Sequence, residues 1–180
     1  MSELNLMKLQ NGSDVRGIAI EGVEDEHVNL TDEAANLIGQ AFALWLEKKC
    51  GKNTAELKIG IGRDARITGE KLALAAAEGI SSTSAKVVNC GLATTPAMFM
   101  SIVFDKTKFD GSLMITASHL PFNRNGIKFF NADGGLEHED IEEILKTAQN
   151  LNLQKNSSPF TETFDLLSLY AEHLKQTICN

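Results

Sequence analysis

This chain is poor in cysteine and proline, with three of each, and holds one tryptophan and one tyrosine. Cys50, Cys90 and Cys179 are odd in number, far apart and without a C-x-x-C pair, which argues against both a zinc site and a disulfide framework. A reducing compartment is then the default, and the expected location is cytoplasmic. No apolar run approaches the ~20 residues that cross a bilayer. Residues 1–10 show neither an apolar leader core nor an Arg-rich amphipathic pattern, so no targeting peptide and no membrane partner is expected. Positive charge is in the minority: 17 Lys and Arg against 24 Asp and Glu leave a net charge of -7. Nucleic acid is therefore not an expected partner, because a polyanion requires a basic patch and the lysines here are scattered. A phosphate on a small substrate needs only a local cationic pocket, which the global charge does not exclude.

What remains is ordinary for a soluble globular protein: 43% hydrophobic and 23% charged residues over 180 positions, enough for one domain with an appendage. Short apolar runs at 15–20, 57–61, 85–89, 111–116 and 126–130 predict strands. Thr31-Asp32-Glu33 offers a cap and an acidic first turn to an amphipathic helix ending near Cys50-Gly51. Further helices are expected from Thr68 to about residue 82, from Pro96 to about 103, and over 137–149 and 164–178. Strands alternating with helices read as a layered α/β fold. Residues 151–163, polar and carrying Ser157-Ser158-Pro159, read as a linker.

The most informative stretch is 114–130. A hydrophobic run, Leu113-Met114-Ile115, stops at Thr116-Ala117-Ser118-His119. A turn containing Pro121, Asn125 and Gly126 leads into Ile127-Lys128-Phe129-Phe130. A hydroxyl at a strand end is exposed, and a nearby cation can hold a transferring phosphoryl group. Taken singly, Ser118 reads as an ordinary turn serine and His119 as an ordinary loop histidine.

Together, Thr116 through Lys128 closely resemble the loop T-A-S-H-x-P-x-x-x-N-G-x-K of the α-D-phosphohexomutases, the phosphoglucomutase and phosphomannomutase family. Ser13-Asp14-Val15-Arg16-Gly17 resembles that family's Y-D-[IV]-R-G signature, with Ser13 in place of tyrosine. Gly62-Arg63-Asp64-Ala65-Arg66 resembles its G-R-D-x-R. The resemblance spans about residues 12–150, one domain of a multidomain enzyme. It implies a three-layer α/β/α sandwich around a small mixed sheet, with residues 1–150 as domain I and 164–180 as a helix leading toward a missing second domain. It implies that Ser118 carries a phosphate, that Arg16 and His119 hold the phosphoryl, and that Lys128 lies near the acceptor hydroxyl. Phosphate would be bound by Arg16, Ser118 and Lys128. The partners implied are a hexose phosphate, such as glucose or mannose 1- or 6-phosphate, and the remaining domains of the same polypeptide. The family's Mg²⁺ would meet this chain only through the phosphate on Ser118, since no D-x-D-G-D-x-D-R loop occurs here. Leu120 departs from the family's usual asparagine.

Other readings stand beside this one. Gly60-Ile61-Gly62-Arg63-Asp64-Ala65 fits the G-x-G-x-x-A of a dinucleotide loop, but the acid expected on the next strand is replaced by Val88-Asn89-Cys90. Asp64 reads better as structural, pairing with an arginine or capping a turn. His27, His138 and His173 read as surface residues. A lone phosphosugar-binding module, or a hydrolase using Ser118 with its own base, are the alternatives to a mutase domain.

Overall fold

The structure, a computed structural model, describes residues 5–179. Part of the N-terminal stretch tested for a leader, residues 1–4, and the last residue of the C-terminal helix region, 180, lie outside it.

Two short strands open the chain, β1 (Gln10–Asn11) and β2 (Asp14–Ile18), after a single 3₁₀ turn at Leu6–Leu9. There follow α1 (Asp32–Cys50), β3 (Lys58–Arg63), α2 (Gly69–Ser82), β4 (Lys86–Leu92), α3 (Thr95–Val103), β5 (Gly111–Ile115), β6 (Arg124–Asn131), β7 (Gly134–Gly135), α4 (His138–Ala148), β8 (Glu162–Thr163) and α5 (Leu166–Ile178). Local chemistry sets several boundaries. Thr31 Oγ1 accepts from Ala34 N at the start of α1, and Gly51 closes that helix at φ 64, a left-handed turn glycine adopts freely. Thr94 caps α3 in the same way. Thr68 precedes α2 but makes no cap bond; its hydroxyl accepts from Asn125 Nδ2 on β6 instead.

The strands form one mixed sheet in the order β1-β2-β6-β5-β3-β4-β8, with β7 against β6. β5, β3, β4 and β8 run parallel, and β6 is antiparallel to both β5 and β2. Side chains alternate between two buried layers, as a sheet covered on both faces requires. Ile59, Ile61, Val87, Leu113, Ile115, Ile127 and Phe129 join the core under α1, α2 and α4. Val88, Cys90, Met114 and Phe130 point the other way, toward Ala97 and Met98 of α3 and Leu166 of α5. The fold is thus a three-layer α/β/α sandwich. Within the first layer α1 and α2 touch backbone to backbone, because a Cβ on Gly79 would stand 1.9 Å from Asn36 O.

The polar segment 151–163, expected as a linker, is held against α1, α2 and β4 by hydrogen bonds. Asn36 Nδ2 donates to Gln154 O and Gln154 N donates to Asn36 Oδ1, Asn156 Nδ2 donates to Ser81 Oγ, and Pro159 is buried. The segment ends as β8, pairing with Val88 and Asn89 of β4. The Asn36 carboxamide of α1 holds the segment's backbone at Gln154 and the segment's own Asn156 holds a serine of α2, ties that composition alone does not disclose. α5 then lies along α3 with Leu166 as its single buried residue, while Leu167, Leu174 and Ile178 stay exposed. His173 is half-buried rather than on the surface, its ring edge-on to Phe104 at 5.1 Å between centroids.

Candidate active site at the strand ends

β3, β4 and β5 end side by side at Arg63, Leu92 and Ile115. The chain leaves β3 for β4 through α2 and leaves β4 for β5 through α3, on opposite faces of the sheet. Carboxyl ends of strands at such a reversal are where α/β sheets place their sites. Here Asp64, just past β3, accepts from Thr116 Oγ1, just past β5, at 2.6 Å. Thr116 Oγ1 in turn accepts from Ser118 N at 2.9 Å, and Asp64 Oδ1 accepts from Arg66 N at 3.0 Å.

Ser118 is exposed and has φ 54, a left-handed conformation that costs a non-glycine residue about 1–2 kcal/mol. Arg66 holds it there. Nη2 donates to the carbonyls of Ser118 and Leu120 at 2.8 and 2.7 Å, and Nη1 to those of Pro121 and Arg124 at 2.8 and 2.9 Å. One planar guanidinium therefore gathers four carbonyls of a loop that has no ladder of its own. The loop's far side is fixed by Glu26, which binds Asn123 Nδ2 at 2.5 Å and also pairs with Arg124, and by Asn123 O, which accepts from Ala19 N at 2.8 Å.

The cations come from the sheet. Val15 pairs with Ile127 and Arg16 with Gly126, so Asp14 and Arg16 on β2 share a face with Lys128 on β6. Arg16 Nη1 donates to Thr116 O at 2.9 Å, and its Nη2 stands 3.0 Å from Asp14 Oδ2 and 3.5 Å from Ser118 Oγ. Lys128 Nζ binds the same Asp14 Oδ2. Gly126 makes room: a Cβ there would meet Val15 O at 2.3 Å and Arg16 Cδ at 2.7 Å. A groove of about 400 Å³ opens beside the loop, with Lys8, Arg16 and Arg124 in its wall.

Of the residues read from sequence, Ser118, Arg16 and Lys128 are thus linked, the lysine through Asp14. His119 is exposed on the loop beside them and has no hydrogen-bond partner among the described residues. Two contributors escaped the sequence reading. Asp14 is no more than a letter in a signature, and nothing in the sequence says that Arg66 binds four loop carbonyls besides the Asp64 carboxylate. Asp64 pairs with Arg66 Nε at 3.5 Å and caps the turn through Arg66 N at 3.0 Å, as expected, and it also accepts from the Thr116 hydroxyl. Gly60 and Gly62 serve packing, since added Cβ atoms would meet Phe109 at 2.4 Å and Met98 Sδ at 2.5 Å.

The resemblance expects Mg²⁺ to meet this chain only through a phosphate on Ser118. Among the described residues no group of three or more His, Cys, Asp or Glu could hold a metal, and Asp14 is already bound by two cations. A phosphoryl oxygen on Ser118 is the one ligand this arrangement could offer. Also among the described residues, no helix is long and apolar enough to cross a membrane.

Comparison with known proteins bears on the family and the fold. Residues 7–155 match the family described as phosphoglucomutase/phosphomannomutase, alpha/beta/alpha domain I. The phosphoglucosamine mutase of Pediococcus pentosaceus is 38% identical over 157 residues, 84% of this chain and 32% of that protein. That of Caldicellulosiruptor bescii is 35% identical over 179 residues, 95% of this chain and 37% of that protein. A phosphoglucomutase/phosphomannomutase family protein from Burkholderia thailandensis shares the fold at a TM-score of 0.71 and 21% identity, covering 92% of this chain and 34% of that one. This chain therefore spans about a third of the length of such relatives, and it belongs to the phosphoglucomutase/phosphomannomutase family, whose α/β/α domain I it contains.

Proposed function

We propose that this chain is the phosphoserine-bearing domain of a phosphohexomutase that acts as part of a longer polypeptide. The observation that carries the reading is Ser118, held in a left-handed turn at the strand ends with the Arg16 guanidinium 3.5 Å from its hydroxyl. In the proposed reaction phospho-Ser118 gives its phosphoryl group to a free hydroxyl of a hexose monophosphate. The P–O bond to serine breaks as the bond to the sugar oxygen forms, and the proton lost by the sugar hydroxyl ends on the freed Ser118 Oγ. Lys128 assists that proton transfer or balances its charge. The bisphosphate turns round and returns its other phosphoryl group to Ser118. Arg16 and His119 hold the phosphoryl in flight; little covalent chemistry is asked of the protein beyond positioning and charge.

The substrate class is a hexose phosphate. Glucose and mannose phosphates fit the resemblance, and the names of the relatives add a glucosamine phosphate. Residues 151–163 would connect this domain to the rest of the enzyme and 164–180 would lead into it. Alone, the chain is expected to be inactive, since the sugar-binding domains and the metal ligands would lie elsewhere. The test is a coupled mutase assay of the full-length protein and of this chain with glucose, mannose and glucosamine 1-phosphates, each with Ser118→Ala. Turnover only by full-length protein with Ser118, and loss of one phosphate from its intact mass in Ser118→Ala, is the expected result. Full activity in Ser118→Ala would overturn the assignment.

A further inference from the structure

Asp14 binds both cations of the site with one oxygen. Its Oδ2 accepts from Arg16 Nη2 at 3.0 Å and from Lys128 Nζ, and all three side chains are largely shielded, at 16%, 14% and 24% exposure. The nitrogen of Arg16 nearest the Ser118 hydroxyl is the one that Asp14 holds. A group placed on Ser118 Oγ would therefore compete with Asp14 for the same donor. Two cations against one carboxylate leave the cluster with a single net positive charge, whereas a phosphoserine brings close to two negative ones at neutral pH. Lys128 retains two further N–H donors that could turn to an added anion without leaving Asp14.

We propose that Asp14 is a positioning residue and the internal counter-anion of this site. It holds Arg16 and Lys128 side by side while Ser118 is bare and yields part of its hold on both when Ser118 carries a phosphoryl group. The proposal rests on the reading of Ser118 as phosphoryl carrier. The arrangement keeps two cations ordered and close without leaving either uncompensated in a shielded place, where an unpaired charge is costly. It also keeps the resting site from gripping the phosphoryl so tightly that transfer to a sugar would stall.

A purely structural Asp14 and a competing Asp14 predict opposite signs for one measurement. The unphosphorylated 180-residue chain, its state checked by intact mass, is titrated with inorganic phosphate. Asp14→Asn is expected to bind phosphate ~10-fold more tightly than wild type, because a competing charge a few ångströms away is removed. Adding Lys128→Gln to that variant is expected to abolish the gain. Equal or weaker binding by a folded Asp14→Asn, or no binding by either protein, overturns the proposal. A second measurement needs no substitution. In the wild-type chain the Asp14 carboxyl carbon and the Lys128 amine nitrogen should shift together in NMR spectra, with one dissociation constant for phosphate. A lysine signal that moves while the Asp14 carboxyl stays still overturns the proposal too. The reading of Ser118 fails separately, if full-length protein carries no phosphate there.

Discussion

Arg66 and Ser118 are joined through the backbone: the arginine's Nη2 donates to the serine's carbonyl at 2.8 Å, while three more carbonyls of the same loop close around the guanidinium. The nucleophile candidate is thus oriented by a residue 52 positions away that does not touch its hydroxyl. A lysine cannot replace this fork, since its three donors diverge from a point.

Arg66→Lys is expected to lose most of these bonds and Arg66→Ala all of them. The cost should be about 1–2 kcal/mol, as three exposed carbonyls and one half-buried carbonyl lose a charged donor. Urea denaturation measures it. Limited proteolysis should show new cleavage within 117–124 in both variants, and unchanged resistance there would contradict the role given to Arg66.

Ser118 itself trades stability for position. Ser118→Gly should remove the candidate nucleophile yet keep or raise stability, by up to ~1 kcal/mol, because glycine adopts φ 54 without strain. Ser118→Val should do the reverse, since a β-branched residue tolerates that conformation least. A thermal melt of the two variants checks the order.

Gly126→Ala should be strongly destabilising, by ~2 kcal/mol or more, because the new methyl would stand 2.3 Å from the Val15 carbonyl in the neighbouring strand. It should also push Arg16 off Thr116 O and so weaken phosphate binding. Gly135→Ala is the control: nothing lies within 4 Å of a Cβ there, and the melt should hardly change. Similar losses for both substitutions would contradict the packing argument.

Burial pushes the Cys90 thiol up from its ordinary value of 9.0 to about 12. A raised folded value means that the native state keeps a proton the unfolded chain releases. This contribution is therefore whole below pH 9 and is lost as pH rises toward 12. Denaturant midpoints from pH 8.5 to 11 should fall less steeply in Cys90→Ala than in wild type. In native protein the exposed Cys179 should react with iodoacetamide first and the buried Cys90 last.

Hydrogen exchange should separate the helices. α1 has twelve buried residues and α5 only Leu166. Amides of α5 are expected to exchange well before those of α1, as weakly packed elements open locally. Equal protection would contradict the loose docking of α5.

The layered fold was legible in the sequence for a physical reason. Period-2 and period-3.6 patterns follow from which side chains must leave water, and caps such as Thr31 and Thr94 act within a turn of their own helix. Ser118 and Lys128 could be picked out from one run of unusual residues, 116–128, and Arg16 from a second, 13–17. The short strand β8 could not, because two residues of Glu and Thr carry no period and their pairing depends on where β4 has its free edge. Nor could the work of Arg66 and Asp14. An arginine's partners are chosen by the loop that arrives beside it, and the two cations on Asp14 meet there only because β2 and β6 pair in one register, with a glycine opposite Arg16. What a residue is was set locally by the sequence; what it binds was decided by contacts made across 52 to 114 positions of chain, which only the folded sheet brings together.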